Sequence, residues 1–300
     1  GDVYNKGMEL SISGTPIRTK DWEWETGINM AGNRGKLKNL PSGVSVMYLT
    51  DVQYGTAKAA SFNDGTYMAI QGTRWQRDPK GNIVLDDNNM PVANSSAAVE
   101  VGDRECTLTG GWNNTVTFKD FTFNMLWEFR FGGAVFNGTR YVMDQAGTSK
   151  FSADNREFLQ ITGVHQTGKD AEGNPTYSDP ETYTFEAGKT YTYDKKTYSG
   201  RYIIQNYYTS KYPNETANYV TNVNSFRLRA ISLAYSLPKS LLAKTKVIKR
   251  AVVTASANNI ALFTNYDGDP EVAAAGAGRG GSSSVGFDYC GVPATASFAF

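Results

Sequence analysis

Residues 112–131 read WNNTVTFKDFTFNMLWEFRF, and this stretch decides the fold class of the 300-residue chain. From residue 121 onward, large apolar side chains alternate with polar ones, with Leu126 as the single exception. Successive side chains of a β-strand point to opposite faces, so a period of two predicts a strand with one aromatic and one polar face. Lys119 and Asp120 have the length of a two-residue turn. The stretch therefore predicts an antiparallel hairpin.

The same alternation occurs near the start of the chain, in DWEWETGINM at residues 21–30. In a soluble β-sandwich the aromatic face would be core, whereas in an outer-membrane barrel it would meet lipid and the polar face would line a wet lumen. The predicted lipid-facing side chains are Trp22, Trp24, Ile28, Met30, Phe121, Phe123, Met125, Trp127 and Phe129. The predicted lumen-facing side chains are Glu23, Glu25, Asn29, Asn124, Glu128 and Arg130.

The composition excludes several classes of function. Thirty Lys and Arg residues against 29 Asp and Glu leave a net charge of +1, so no nucleic-acid surface is predicted. No apolar run reaches the roughly 18 residues of a transmembrane helix, although a barrel strand is apolar only at every second residue and escapes this test. The lone His165 has no nucleophile or carboxylate at a recognisable spacing, so we expect a surface histidine and no enzyme.

Neither a cofactor nor a metal site is predicted. Cys106 and Cys290 are expected to be free thiols, with a single disulfide as the alternative. Two acidic groups lack the spacing of a known calcium loop, so we expect turn chemistry at both. They are Asp86-Asp87 and Asp267, Asp269, Glu271.

Short and long connections alternate between the strand-like segments. Further strands are predicted at 8–13, 44–49, 67–70, 225–237, 251–263 and 288–300. The short connections are 14–21, 119–120 and 237–250, and the long ones are 35–107, 132–221 and 264–286. We expect mostly turns at 51–105 and no sustained helix at 134–220. Outer-membrane barrels have short periplasmic turns and long external loops, so the pattern favours a barrel with its long loops outside the cell.

Several segments resemble one family in their residues and in their order. NKGMELSISGTPIRTKDWEWETGINMAGNRGKL at 5–37 resembles a late barrel segment of the SusC/RagA-type TonB-dependent outer-membrane transporters. SFRLRAISLAYSLPKSLL at 225–242, SANNIALFTNYDGDPEV at 256–272 and FDYCGVPATASFAF at 287–300 are similar to later segments of that family. The residues that match its motifs are Arg227, Leu228, Leu233, Tyr235, Pro238, Asn259, Tyr266, Gly268, Asp269, Pro270 and Glu271.

The resemblance implies a fold and a set of partners. The complete protein would be an all-β, antiparallel transmembrane barrel of about 22 strands, in contact with outer-membrane lipids and filled by an N-terminal plug. Residues 1–300 would be the C-terminal portion of that barrel, without the plug and earlier strands, and we expect a short tail after Phe300. The protein would import oligosaccharides or peptides across the bacterial outer membrane beneath a SusD-like surface lipoprotein. TonB–ExbB–ExbD would act through the plug, and a dimer of transporter–lipoprotein pairs is compatible with this arrangement.

Three questions stay open at the level of the sequence. Arg227 and Arg229 share parity with apolar residues 231–235, so either both lie at an outer rim or a β-bulge turns them inward. A group of tyrosines could contact cargo or the lid protein, or could simply extend strands. They are Tyr183, Tyr191, Tyr193, Tyr207 and Tyr208. The alternatives to an importer are a secreted β-sandwich that binds carbohydrate or acts as an adhesin, and a passive porin.

Overall fold

Strands dominate the computed structural model, which describes residues 1–245, 247–271 and 285–300. In chain order the strands are β1 (Asp2–Arg18), β2 (Trp22–Lys38), β3 (Val46–Tyr54), β4 (Ala57–Phe62), β5 (Ala69–Trp75), β6 (Val84–Leu85), β7 (Ala93–Asp103), β8 (Leu108–Phe118), β9 (Phe121–Asn137), β10 (Phe158–Lys169), β11 (Pro175–Tyr177), β12 (Glu181–Glu186), β13 (Thr190–Tyr193), β14 (Lys196–Ser199), β15 (Val220–Ser236), β16 (Val252–Thr264), β17 (Phe287–Asp288) and β18 (Ser297–Ala299).

The helices are short. They are α1 (Gly138–Ala146), α2 (Lys150–Asp154), α3 (Gly200–Asn206) and α4 (Lys239–Leu242), with a π-helical turn at Tyr207–Lys211 and 3₁₀ turns at Tyr212–Asn214, Thr216–Tyr219 and Ala243–Thr245. In the described part of the chain, no helix has the length and apolar character needed to cross a membrane. The short connection 237–250 contains α4.

Seven strands form one large antiparallel sheet, called the main sheet below. Its order is β1-β2-β8-β9-β15-β16-β18, and β17 pairs in parallel with β9. The predicted hairpin is confirmed: Phe118 lies opposite Phe121, and Lys119 in the turn has a left-handed φ of 51°. Among the described residues the main sheet is open, with β1 and β18 at its edges.

The register divides the main sheet into two faces, because residues directly opposite each other on antiparallel strands share a face. Trp24 lies opposite Val116, Val116 opposite Phe123, and Phe123 opposite Leu233. The face they share, called the aromatic face, also carries Trp22, Ile28, Met30, Trp112, Phe121, Met125, Trp127, Phe129, Phe226 and Phe263. The opposite face, called the polar face, carries Glu23, Glu25, Asn29, Thr109, Thr115, Asn124, Glu128, Arg130, Ser225 and Ser232.

A β-bulge decides the position of the two arginines in β15. The pairing of β15 with both β9 and β16 shifts between Leu228 and Ala230, so Arg229 is the extra residue. An extra residue inverts the side-chain parity of the strand. Arg227 consequently lies opposite Glu128, on the polar face. The bulge therefore places Arg227 and Arg229 on the polar face with Glu128, as in the second alternative, and not on the face of residues 231, 233 and 235.

Two long connections contain folded modules where the sequence predicts loops. Residues 46–103 include a sheet of order β3-β4-β5-β7, called the upper sheet. Residues 138–219, called the helical insert, include α1–α3 and a sheet of order β11-β10-β12, which β6 joins in parallel. The expectation of mostly turns at 51–105 is therefore wrong, whereas 134–220 contains short helices and no sustained one. The helices α1–α3 have only 5 to 9 residues, too few for a helical period to be recognised.

Both modules have buried cores. Trp75 at the end of β5 and Met90 in the connection that contains β6 pack together with Leu159 and Phe185 of the helical insert. A second cluster joins the upper sheet to the end of β9 and to β17, through Ala59, Ile70, Phe136, Tyr219 and Phe287. These contacts fix the two modules to one end of the main sheet.

The C-terminal segment contains much less strand than predicted. Within 288–300, only the end of β17 and the three residues of β18 are strand. Cys290 has a left-handed φ of 54°, and Pro293 has no backbone N–H to donate to a ladder. Both cysteines are free thiols, as expected. In the third long connection, 264–286, residues 272–284 lie outside the described residues.

Candidate functional site

A groove of about 480 Å³ lies on the polar face of the main sheet. Gly110 and Gly111 line it, and a side chain at Gly111 would begin 3.0 Å from Asn29 Oδ1. Gly111 lies on the polar face, opposite Asn29 and Glu128, so the absence of its side chain leaves room above β8. The other polar side chains in its wall are Asn29, Thr109, Glu128, Arg130, Ser225 and Glu271. We call this space the polar groove.

Hydrogen-bonding groups, not rings, cover the polar face around this groove. By register, no aromatic residue of 22–31, 109–131, 225–236 or 252–264 lies on the polar face. Thr115 donates to Asn124 Oδ1 at 2.9 Å, and Asn124 Nδ2 donates to Ser232 Oγ at 3.3 Å. The polar face can therefore bind a solute through hydrogen bonds and charge, and this part of it offers no ring for stacking.

Two arginines hold three carboxylates at the edge of the groove. Arg227 pairs with Asp269, and its Nε lies 3.3 Å from Glu271 Oε1. Arg229 bridges Glu128 of β9 and Glu271. The Arg227–Asp269 pair is almost fully buried, with 4% and 6% of the two side chains exposed. The pairing of opposite charges and their hydrogen bonds offset the free-energy cost of removing both groups from water.

Two of the three carboxylates in this network, Asp269 and Glu271, come from the matched motif TNYDGDPE at 264–271. The side chain of Tyr266 donates to Asp288 Oδ2 at 2.8 Å, and burial raises the pKa of the Tyr266 phenol. Gly268 has a φ of 131°, which only glycine adopts readily. Asp269 Oδ1 accepts the backbone N–H of Glu271 at 3.1 Å. The motif is thus a tight turn that aims two carboxylates at the arginines of β15.

The aromatic face is organised by ring contacts across neighbouring strands. Trp22 lies 4.3 Å from Phe118, Phe121 stacks on Tyr235 at 4.5 Å, and Trp127 stacks on Phe226 at 4.5 Å, all between ring centroids. All nine side chains predicted to face lipid share this face, and all six predicted to face the lumen share the polar face.

The tyrosines expected to contact cargo or a lid protein lie in or against a core. Tyr193, Tyr207 and Tyr208 are 6–8% exposed. Tyr183 and Tyr191 are partly buried and pack against the same cluster. Burial raises the pKa of Tyr208 to about 12. The expected contact surface is therefore largely interior, because tyrosine-rich sequence does not distinguish a wet ring from one that packs inside a small module.

Other titratable groups have structural partners. His165 Nε2 lies 3.1 Å from Asn89 Oδ1. Asp86 Oδ1 accepts the backbone N–H groups of Asn88 and Met90, both at 2.9 Å, which is the turn chemistry that we expect there. Arg104 is a buried group that no sequence pattern marks out, and it is 1% exposed. Its side chain donates to the Val285 carbonyl at 2.7 Å. Burial lowers the pKa of its guanidinium to about 10.

Comparison with curated proteins identifies relatives over almost the whole chain. TonB-dependent receptor P3 of Formosa agariphila is 24% identical over 321 aligned residues, which cover 99% of this chain and 28% of that protein. TonB-dependent receptor P39 of the same organism is 24% identical over 98% of this chain and 29% of its own length. No family model matches the sequence. The chain spans less than a third of the length of these relatives.

Solved structures show a similar fold over 89–99% of the chain. The RagAB peptide importer in its closed-closed state matches 99% of this chain and 29% of its own, with a TM-score of 0.59 and 18% identity. The open-open state of the same importer matches 89% of this chain with a TM-score of 0.52. The chain is a homologue of TonB-dependent receptors. Its fold corresponds to a segment of the SusC/RagA type.

Proposed function

We propose that this chain forms part of the barrel wall of a SusC/RagA-type importer in the bacterial outer membrane. The aromatic face meets lipid, and the polar face lines the lumen. The observation that supports this most strongly is the exposure of large rings on one face only: Trp22 is 48%, Phe121 44% and Phe263 62% exposed. Outer-membrane strands require this division between an apolar outside and a polar inside.

A soluble β-sandwich accounts less well for the same face. Sandwiches bury the apolar side of each sheet against a second sheet about 10 Å away. The rings of the main sheet instead stack along their own sheet, and the upper sheet packs on the end of β9 through Phe136. Lipid would remove these rings from water without a second protein layer.

The complete protein would import large nutrients, either oligosaccharides or peptides. The likeness to a peptide importer and the hydrogen-bonding side chains that line most of the polar groove both support a cargo bound through hydrogen bonds. The upper sheet and the helical insert would lie outside the cell, where a SusD-like lipoprotein would cover the barrel. TonB–ExbB–ExbD would supply energy through a plug domain, and no catalytic chemistry is involved.

An arginine placed on each face of β9 tests the assignment. Met125→Arg places a charge on the aromatic face near mid-strand, and Asn124→Arg places the same charge one residue away on the polar face. We expect Met125→Arg to destabilise the folded barrel by about 2–4 kcal/mol and Asn124→Arg to have little effect, because only the first side chain enters hydrocarbon. The measurement is reversible unfolding of the full-length protein in lipid vesicles. Equal costs at the two positions would contradict the proposal.

A further inference from the structure

The carboxylate of Asp269 joins three parts of the chain that are distant in sequence. Its Oδ1 pairs with Arg227 of β15 and accepts the N–H of Glu271 in its own turn. Its Oδ2 accepts the backbone N–H of Ala294 in the C-terminal segment, at 3.1 Å. Because Asp269 is 9% exposed, water does not replace these contacts readily.

A second carboxylate fixes the beginning of the same C-terminal segment. Asp288 accepts the Tyr266 hydroxyl at 2.8 Å and the Thr139 hydroxyl at 3.0 Å. Thr139 Oγ1 in turn accepts the backbone N–H of Cys290 at 2.7 Å. The segment is therefore attached to the first turn of α1 on one side and to Asp269 on the other.

Residues 289–296 depend on such side-chain contacts because they form no strand. Val292 is 87% exposed, which shows how little of this stretch packs against the rest of the molecule. Asn259 Nδ2 also reaches the Thr295 carbonyl, at the long distance of 3.4 Å. The hydrogen bond of Ala294 to a buried, charge-paired carboxylate is charge-assisted, and such bonds are roughly twice as strong as neutral ones.

We propose that Asp269 is a positioning residue that fastens two pieces at once: residues 289–296, and the turn that places Glu271 in the wall of the polar groove. The C-terminal segment and the groove wall are then mechanically coupled through one carboxylate. Loss of the Arg227–Asp269 pair releases both pieces together. This coupling concerns how the groove is held and does not require the chain to be a transporter.

The test uses the full-length protein in its native membrane, with Cys106 and any cysteine outside residues 1–300 replaced by Ser so that a nitroxide label reports on Cys290 alone. We expect Asp269→Asn, which keeps the shape but removes the charge, to make the label markedly more mobile in its electron paramagnetic resonance spectrum. The matched control is Asp267→Asn, since Asp267 is exposed and lies two residues away in the same turn. Equal mobility in the two variants would overturn the proposal.

A second readout tests the coupling to the groove. Ser225 lines the groove and is 5% exposed, so a thiol introduced by Ser225→Cys in a background without the native cysteines should react slowly with a soluble maleimide. We expect Asp269→Asn to raise that rate at least several-fold and Asp267→Asn to leave it unchanged. A mobile label at Cys290 with an unchanged rate at position 225 would refute the coupling.

A third variant covers the case in which Asp269→Asn fails to assemble. Ala294→Pro removes the N–H that donates to Asp269 and leaves the Arg227–Asp269 pair in place. We expect increased mobility at Cys290 with little change in the thiol reaction at position 225. A label as immobile as in the unsubstituted protein would show that the hydrogen bond does not hold the segment.

Discussion

The main sheet and the helical insert use the same residue types in opposite ways. Trp127 of the main sheet stacks on Phe226 across the surface of its own sheet. Trp75, by contrast, is 7% exposed and packs in the core of the insert against Tyr207 and Tyr212, with its Nε1 donating to the Lys211 carbonyl at 3.0 Å. The number of aromatic residues therefore does not show whether their rings lie on the face of a sheet or in a core. Their periodicity along a strand does show it, because a period of two assigns every ring to one face.

The comparison predicts that truncating a ring has different effects in the two regions. Trp75→Ala should cost about 3–5 kcal/mol, since a large cavity opens in the core of the insert. The measurement is amide hydrogen exchange of 158–212, which should accelerate while β9 stays protected. Tyr202→Ala is the matched control, because Tyr202 lies on the same insert and is 45% exposed. Faster exchange throughout the main sheet would show that the two regions unfold as one unit.

The two regions also differ in how they use charge. Arg227→Met leaves Asp269 buried without its partner and should destabilise the protein by about 3–5 kcal/mol in equilibrium unfolding. Arg201→Met in the helical insert should cost about 0–1 kcal/mol, because the Arg201–Glu157 pair is more than 70% exposed on both sides. Arg227→Met with Asp269→Asn, which removes the unpaired charge but keeps an oxygen acceptor for backbone N–H groups, should recover part of the loss. A double variant no better than Arg227→Met alone would contradict the assignment of a buried pair.

The smallest expected difference concerns the hairpins of the main sheet and the upper sheet. Lys119 in the β8–β9 turn has a φ of 51°, and Gly55 in the β3–β4 turn has a φ of 54°. Lys119→Gly should stabilise the protein by about 0.5–1 kcal/mol, since the lysine adopts a left-handed conformation at a cost that glycine avoids. Gly55→Ala should destabilise it, because a side chain there also meets the ring of Tyr141. The midpoint of denaturant unfolding measures both, and a loss with Lys119→Gly would be the contrary result.

The sequence predicts the main sheet well, for a local physical reason. Strands of 17 residues, such as β9 and β15, repeat the alternation often enough for the pattern alone to assign a face to Trp24, Phe123 or Glu128. The alternation pattern does not reveal where a β-bulge inserts a single extra residue and inverts the side-chain parity. The bulge at Arg229 moves two arginines to the other face, and the sequence alone left both alternatives open.

The modules at the end of the sheet could not be predicted in the same way. Strands such as β6, with two residues, and helices such as α2, with five, are stabilised by contacts distant in sequence rather than by their own pattern. Tyr207 illustrates the difficulty, since its burial depends on Trp75, which lies far away in the chain. The motif carboxylates were found by resemblance, but their pairing with Arg227 and Arg229 required the fold.

The most direct test of the account is which tryptophans touch lipid. Full-length variants that keep only Trp127 or only Trp75, with every other tryptophan replaced by Phe, would be reconstituted in vesicles whose acyl chains carry bromine. Bromine quenches an indole that it contacts, so we expect strong quenching of Trp127 on the aromatic face and none of Trp75, which packs in the core of the insert. Trp127 fluorescence that stays unquenched, or equal quenching of both, would contradict the claim that the aromatic face of the main sheet meets the membrane.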